Sequence, residues 1–165
     1  MTDMKIQPLP GVSPDLYEII VRTGARGDGA SACRVGDAYR TGEWFRYSPR
    51  RAFRWYAMSA LAGDARGQNN LGACYQHGIG CVQSYPKALK WYLASAAQDC
   101  GTATMNLGFL SLRGHAVPEN RAEAIRLFRL AVKQGEPAAG EELDRLGESR
   151  PLDDPDHLPV QVDRS

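Results

Sequence analysis

NNLGACYQHGIGCVQSYPKALKWYLASAA, residues 69–97, is one nearly complete copy of a pattern that the chain writes three times. Its opening, NNLGACYQHG (69–78), aligns with CRVGDAYRTG (33–42) and MNLGFLSLRG (105–114). The first glycines, Gly36, Gly72 and Gly108, stand 36 residues apart, and so do the last, Gly42, Gly78 and Gly114. Ala52, Ala88 and Ala124 keep the interval, as do the pairs Trp55-Tyr56, Trp91-Tyr92 and Leu127-Phe128. Self-similarity at this period is the sequence signature of a stacked repeat protein.

Each column has a physical reading. Gly36, Gly72 and Gly108 fall inside helix-like stretches, where glycine costs about 1 kcal/mol against alanine. A cost taken three times at one place implies close approach of a neighbouring helix. Gly42, Gly78 and Gly114 close those helices in the left-handed conformation that favours glycine. Ser48, Ser84 and Asn120 are N-cap types for the next helix. Pro49 follows at a position that tolerates proline, and Glu123, three after Asn120, has the spacing of a capping box. Ala52, Trp55, Tyr56 and Ala60 lie on one apolar stripe, repeated by Ala88, Trp91, Tyr92, Ala96 and by Ala124, Leu127, Phe128, Val132. The spacing therefore predicts A helices over 28–41, 64–77 and 100–113 and B helices over 48–62, 84–98 and 120–134. Gly63 and Gly135 end two of the B helices.

One such pair cannot bury its stripe, whereas stacked pairs can. The expected architecture is all-α: a solenoid over 14–147 with repeats 28–63, 64–99 and 100–135. A lone B helix (14–24) and a lone A helix (138–147) cap the ends. Residues 1–13 read as an arm, and 148–165, with Pro151, Pro155 and Pro159 among acids, as an acidic flexible tail.

The 165 residues carry 20 Lys+Arg against 19 Asp+Glu, a net charge of +1. That balance argues against a uniformly basic nucleic-acid binder. The sequence holds no run of 18 apolar residues, so no membrane association is expected. The first twenty residues show no charged start followed by an apolar core, which reads as a cytoplasmic protein. Cys33, Cys74, Cys81 and Cys100 then read as reduced thiols.

Residues 69–97 resemble the Sel-one-like repeat, a relative of the tetratricopeptide repeat. The resemblance rests on Asn70, Leu71, Gly72, Tyr75, Gly78, Gly80, Lys87, Ala88, Trp91, Tyr92, Ala96 and Ala97, and extends over about 27–135. The first repeat keeps Gly36, Tyr39, Gly42, Ala52, Trp55 and Tyr56. The third keeps Asn106, Leu107, Gly108, Gly114, Val117 and Ala124 but has Ser111 and Leu127 for Tyr and Trp. The pattern's second loop glycine survives only as Gly80, with Trp44 and Ala116 in its column. The resemblance implies a right-handed α-solenoid of bacterial type, acting as an adaptor, regulator or inhibitor in protein complexes. A cysteine-rich branch credited with β-lactamase-like activity supplies the alternative, a hydrolase. That branch pairs cysteines between adjacent helices at fixed repeat positions, a pattern absent from this sequence.

Cys74-x-x-His77-x-x-x-Cys81 has soft ligands within eight residues. Against a metal site, Cys74 shares its column with Ala38 and Leu110, and Cys81 with Phe45 and Val117, all apolar slots. A Cys74–Cys81 disulfide would need an oxidising compartment. His77, His115 and His157 have no nucleophile or carboxylate partner in a recognisable motif. Gly78-x-Gly80 is a helix terminator, not a phosphate cradle. The aromatic columns read as core packing, not a base-stacking platform. The expectation is a chain without catalysis, metal, cofactor or small-molecule substrate.

In tetratricopeptide-like stacks the A helices line the concave face. By the glycine register, Cys33, Asp37 and Arg40 face it from the first repeat. Arg66, Asn69, Ala73, Gln76 and His77 follow from the second, and Met105, Phe109, Leu112 and Arg113 from the third. Trp44, in a loop where the pattern has glycine, is expected to be exposed. The candidate partner-binding residues are therefore Arg40, Trp44, Arg66, Asn69, Gln76, His77, Met105, Phe109, Leu112 and Arg113. The apolar trio either meets a partner or is covered by the cap helix 138–147. Residues 22–66 carry nine arginines against four acids, while 141–165 carry eight acids against three arginines. The expected partner is a protein or peptide, acidic in character. Alternatively, the basic repeats meet the acidic tail of the same or another copy, their arginines are simply solvated, or, as the least favoured option, they meet nucleic acid.

Overall fold

The structure, a computed structural model, describes residues 9–10 and 14–148. The remaining parts of the expected arm and tail (1–8, 11–13 and 149–165) lie outside the described residues. Among the described residues the chain forms eight helices and no strand. They are α1 (Pro14–Ala25), α2 (Gly29–Thr41), α3 (Pro49–Leu61), α4 (Ala65–His77), α5 (Tyr85–Ala96), α6 (Gly101–Arg113), α7 (Arg121–Lys133) and α8 (Ala138–Arg145). α2, α4 and α6 are the A helices; α3, α5 and α7 are the B helices. Each helix packs on its neighbours in sequence, which is the contact pattern of a solenoid. None is long and apolar enough to cross a membrane.

The glycine column inside the A helices has a direct cause. A Cβ at Gly36 would stand 2.6 Å from the Tyr56 ring, one at Gly72 2.7 Å from Tyr92, and one at Gly108 2.6 Å from Phe128. Each B helix thus lays an aromatic ring on bare backbone of its own A helix. Tyr56, Tyr92 and Phe128 are buried at 1%, 0% and 0% exposure, which makes these contacts the core of each repeat. Trp55 is buried beside Tyr56, and Trp91 packs half-buried on the first core cluster.

Left-handed positions recur at the expected interval. Gly42, Gly78 and Gly114 cap the A helices at φ of 77°, 69° and 65°. Gly63 and Gly135 follow α3 and α7 at 88° and 86°. Among the described residues the positive-φ positions other than glycine occupy glycine columns: Asp99 (59°) shares that of Gly63 and Gly135, and Ala116 (63°) that of Gly80.

Capping differs from the sequence expectation. Asp28 and Asp64 cap α2 and α4, accepting from Ser31 N–H at 2.9 Å and Gly67 N–H at 2.7 Å. The Ser31 bonds hold the Asp28 carboxyl below its ordinary pKa. Asn120 caps α7 through Glu123 N–H at 3.0 Å. Ser48 and Ser84 occupy N-cap positions, yet their hydroxyls make no cap bond. The Ser48 carbonyl already takes the Arg51 N–H, and Pro86 has no N–H to offer Ser84. The reciprocal half of the capping box is also absent. Asn120 N–H donates to the Ser111 carbonyl at 2.8 Å, and Glu123 turns to Arg126. Ser48 and Ser84 N–H groups make the same backbone bond, to Tyr39 and Tyr75. That bond fixes the A-to-B loop in every repeat.

Candidate partner-binding face

The A helices carry a connected polar network at one end and an apolar cluster at the other. Asp37, on α2, is its hub. Its Oδ1 accepts from Tyr56 Oη at 2.7 Å and Asn70 Nδ2 at 3.4 Å, and its Oδ2 from Arg66 at 3.1 Å. Arg40 Nε donates to the Tyr56 hydroxyl at 3.0 Å, and its guanidinium lies 3.7 Å from Asp37. Burial raises the Tyr56 phenol pKa, and the Asp37 carboxylate raises it further. The phenol stays a neutral donor to Asp37.

The network continues along the stack by a repeating step. Asn70 donates to Cys33 Sγ at 3.6 Å, and Asn106, its equivalent 36 residues on, donates to Asn69 Oδ1 at 3.0 Å. Asn69 in turn donates to Asn70 at 3.3 Å. Asparagine is a poor helix former because its side chain competes for backbone bonds. Here the side-chain bonds link successive A helices instead. Each half-buried amide has two donors and an acceptor with two lone pairs, more than the bonds named here use.

The third repeat replaces this chemistry as a set. Phe109 stands in the column of Asp37, Leu112 in that of Arg40, and Phe128 in that of Tyr56. Phe109 meets Phe128 edge-on at 5.2 Å, and the Arg113 guanidinium lies 5.3 Å over the Phe109 ring. Met105, Phe109 and Leu112 are half-buried against the cluster that contains Leu143 of α8. The trio thus packs on a cluster built from both α7 and α8 and stays half-exposed.

The structure brings together Arg40 and Arg66 around Asp37, with Asn69 joined to them through Asn70, and Met105, Phe109, Leu112 and Arg113 at the far end. Arg40, Arg66, His77 and Arg113 are exposed. Three residues expected on the face or exposed are placed differently, the first being Cys33, buried at 1% in the first core cluster. Gln76 is buried at 8%, because its Oε1 accepts the Tyr92 hydroxyl at 2.8 Å. Trp44 is half-buried against the first core, and its carbonyl accepts from Leu9 N–H at 2.7 Å. Asn70 and Asn106 were missed as network members. Their signal was a helix-interior asparagine written twice in one column.

The thiols are free. Desolvation pushes Cys33 up to about 11 and Cys74 up to about 12, with Asp37 and Cys81 adding to the respective shifts. Cys74 is buried, Cys81 bonds the Cys74 carbonyl at 3.4 Å, and His77 is exposed. Among the described residues no group of three or more His, Cys, Asp or Glu could hold a metal ion.

The Sel1 repeat family model matches residues 29–64, 65–100 and 102–136. A Sel1 repeat protein from Oxalobacter formigenes is similar at 28% identity and a TM-score of 0.69, over 81% of this chain and 61% of that one. The c5321 protein, a protective antigen of uropathogenic Escherichia coli with an SLR fold, is similar at 27% identity and a TM-score of 0.72. That match covers 79% of this chain and 28% of the other. The chain thus spans less than two thirds of the length of either. Helicobacter pylori cysteine rich protein B shares the fold, with a TM-score of 0.61 at 17% identity, over 81% of this chain and 98% of that one. No curated protein matches the chain. With three family repeats in register over most of its length, the chain belongs to the Sel1 repeat family.

Proposed function

We propose that the chain is a non-catalytic interaction module, an adaptor, regulator or inhibitor, that holds an acidic, partly apolar peptide segment along the A-helix face. Sel1 repeats generally mediate protein–protein contacts. The carrying observation is the change along that face from Arg40, Arg66, Asn69 and Asn106 to Met105, Phe109 and Leu112. Amide side chains suit the alternating donors and acceptors of an extended backbone. Arginine forks suit carboxylates, and half-buried apolar groups suit an anchor residue. Gln76 supports the face from below through Tyr92 rather than by contact. Free thiols go with a cytoplasmic setting.

The test is selection from a displayed random-peptide library on the intact chain. Acidic peptides ending in an apolar residue are expected, with affinity falling about tenfold in Arg66→Glu and in Phe109→Ala. Peptides that bind both variants unchanged would contradict the assignment. Turnover of nitrocefin that one Cys→Ser change abolishes would contradict the absence of catalysis.

A further inference from the structure

A second surface lies on the edge where A helices end and B helices begin. Between Glu43 and Asp99 the sequence has one acid, Asp64. That carboxylate accepts from Gly67 N–H at 2.7 Å and from Ser59 at 3.2 Å, inside the α4 cap. Over the same span Arg46, Arg50, Arg51 and Arg54 crowd the start of α3, all exposed, around Tyr47 at 63% exposure. Lys87 and Lys90 on α5 stand in the columns of Arg51 and Arg54. Arg51 lies 5.5 Å over the Tyr39 ring and Lys87 5.3 Å over the equivalent Tyr75 ring, so both repeats present their cation in the same way. The stripe stops at the third repeat, where Glu123 and Arg126 fill these columns and neutralise each other at 2.8 Å. Unopposed arginines around an exposed tyrosine have the composition of a contact centre.

The described chain ends on this same edge. α8 is an A helix, and beyond its end the Leu146 carbonyl accepts from Arg121, the first residue of α7, at 2.6 Å. Glu148 then pairs with Arg129 at 3.1 Å. Arg129 is one turn from Arg126, the equivalent of Lys90 and Arg54. The residues that follow read LDDPDHL (152–158), three aspartates in four positions between two leucines. They begin four residues past Glu148, and about 3.3–3.6 Å per extended residue carries Asp156 about 28 Å. Packed helices stand about 8–10 Å apart, so α5 is within reach.

We propose that the basic edge is a docking site for an acidic linear segment, and that residues 152–158 of this chain occupy it. The site is distinct from the A-helix face. An acidic ligand from outside then competes with the chain's own segment.

The probe is a fluorescein-labelled peptide of residues 149–165, titrated by anisotropy into the full chain. In Asp153→Asn/Asp154→Asn/Asp156→Asn the edge is vacated, and the probe binds about fivefold tighter than to the parent chain. Adding Lys87→Glu/Lys90→Glu or Arg50→Glu/Arg54→Glu, all exposed positions, lowers that affinity about tenfold, with helix content unchanged by circular dichroism. Equal affinity for the parent and the triple variant, or indifference to the charge reversals, would overturn the proposal. A loss in Arg66→Glu that the charge reversals on the edge do not share would also overturn it, by reassigning the probe to the A-helix face. So would an oligouridylate that binds this edge more tightly than the peptide, which would reassign it to nucleic acid.

Discussion

Tyr56 reaches across from α3 to donate its proton to Asp37 on α2, with 2.7 Å between the oxygens. It also accepts from Arg40 at 3.0 Å. The ring that fills the space above Gly36 thus orients the carboxylate that gathers Arg40, Arg66 and Asn70. In the third repeat Phe128 fills the equivalent space above Gly108, and Phe109 and Leu112 replace the carboxylate and the arginine. Core and surface therefore change together.

Asp37→Ala strips the buried phenol of its acceptor and is expected to cost about 2 kcal/mol in urea unfolding. In the Tyr56→Phe background the same change is expected to cost about 1 kcal/mol less. Additive losses would show that the pair is not coupled.

Ala116 and Asp99 hold left-handed backbone in columns that otherwise carry glycine. Left-handed φ costs a residue with a Cβ about 1–2 kcal/mol. Ala116→Gly is expected to raise stability by about 1 kcal/mol, after the extra chain entropy of glycine is subtracted. Asp99→Gly is expected to gain less, because aspartate tolerates this region and Asp99 accepts from Gln134 at 3.2 Å. A lowered melting temperature in Ala116→Gly would contradict the assignment of strain.

The buried thiols fix the sign of an alkaline effect. Cys33 and Cys74 titrate at about 11 and about 12 in the folded chain, against an ordinary value of 9.0. Above pH 9 the unfolded chain loses these protons first, so it binds fewer protons than the folded chain and stability falls as pH rises. Each thiol contributes up to about 1.4 kcal/mol per pH unit in its window. The urea midpoint is expected to hold nearly level up to about pH 8.5 and then to fall from about pH 9 to pH 10.5. The fall is expected to be shallower in Cys74→Ala, a residue that Ala38 shows the column accepts. An unchanged slope would show that Cys74 is not the titrating group.

Asn120→Ala should destabilise the chain by about 1 kcal/mol, since it removes the cap bond to Glu123 N–H. Ser84→Ala should be close to neutral, because its hydroxyl caps nothing. Equal costs at the two sites would contradict the capping geometry.

The helices and their order were legible because the glycine and aromatic columns state their own spacing. Gly36, Gly72 and Gly108 announced a close contact, and only its partner, an aromatic ring, needed the structure. Gln76 was less legible. It shares a column with exposed Arg40, yet the Tyr92 hydroxyl, sixteen residues on, draws it inward. The serine caps failed for a local reason, Pro86 two residues after Ser84 and the tight first turn after Ser48. The asparagine steps between repeats depend on how closely successive A helices approach, which composition does not encode. Likewise the basic edge becomes a single surface only once the α3 and α5 starts are stacked.

The proposed function rests on a peptide lying along the A-helix face. Its most direct measurement is a proton–nitrogen NMR titration of the intact chain with an acidic peptide from the library selection. The largest shifts are expected at the side-chain amides of Asn69, Asn70 and Asn106 and at the backbone of Arg66 and Phe109. Shifts confined to the outer faces of α3, α5 and α7 would contradict it.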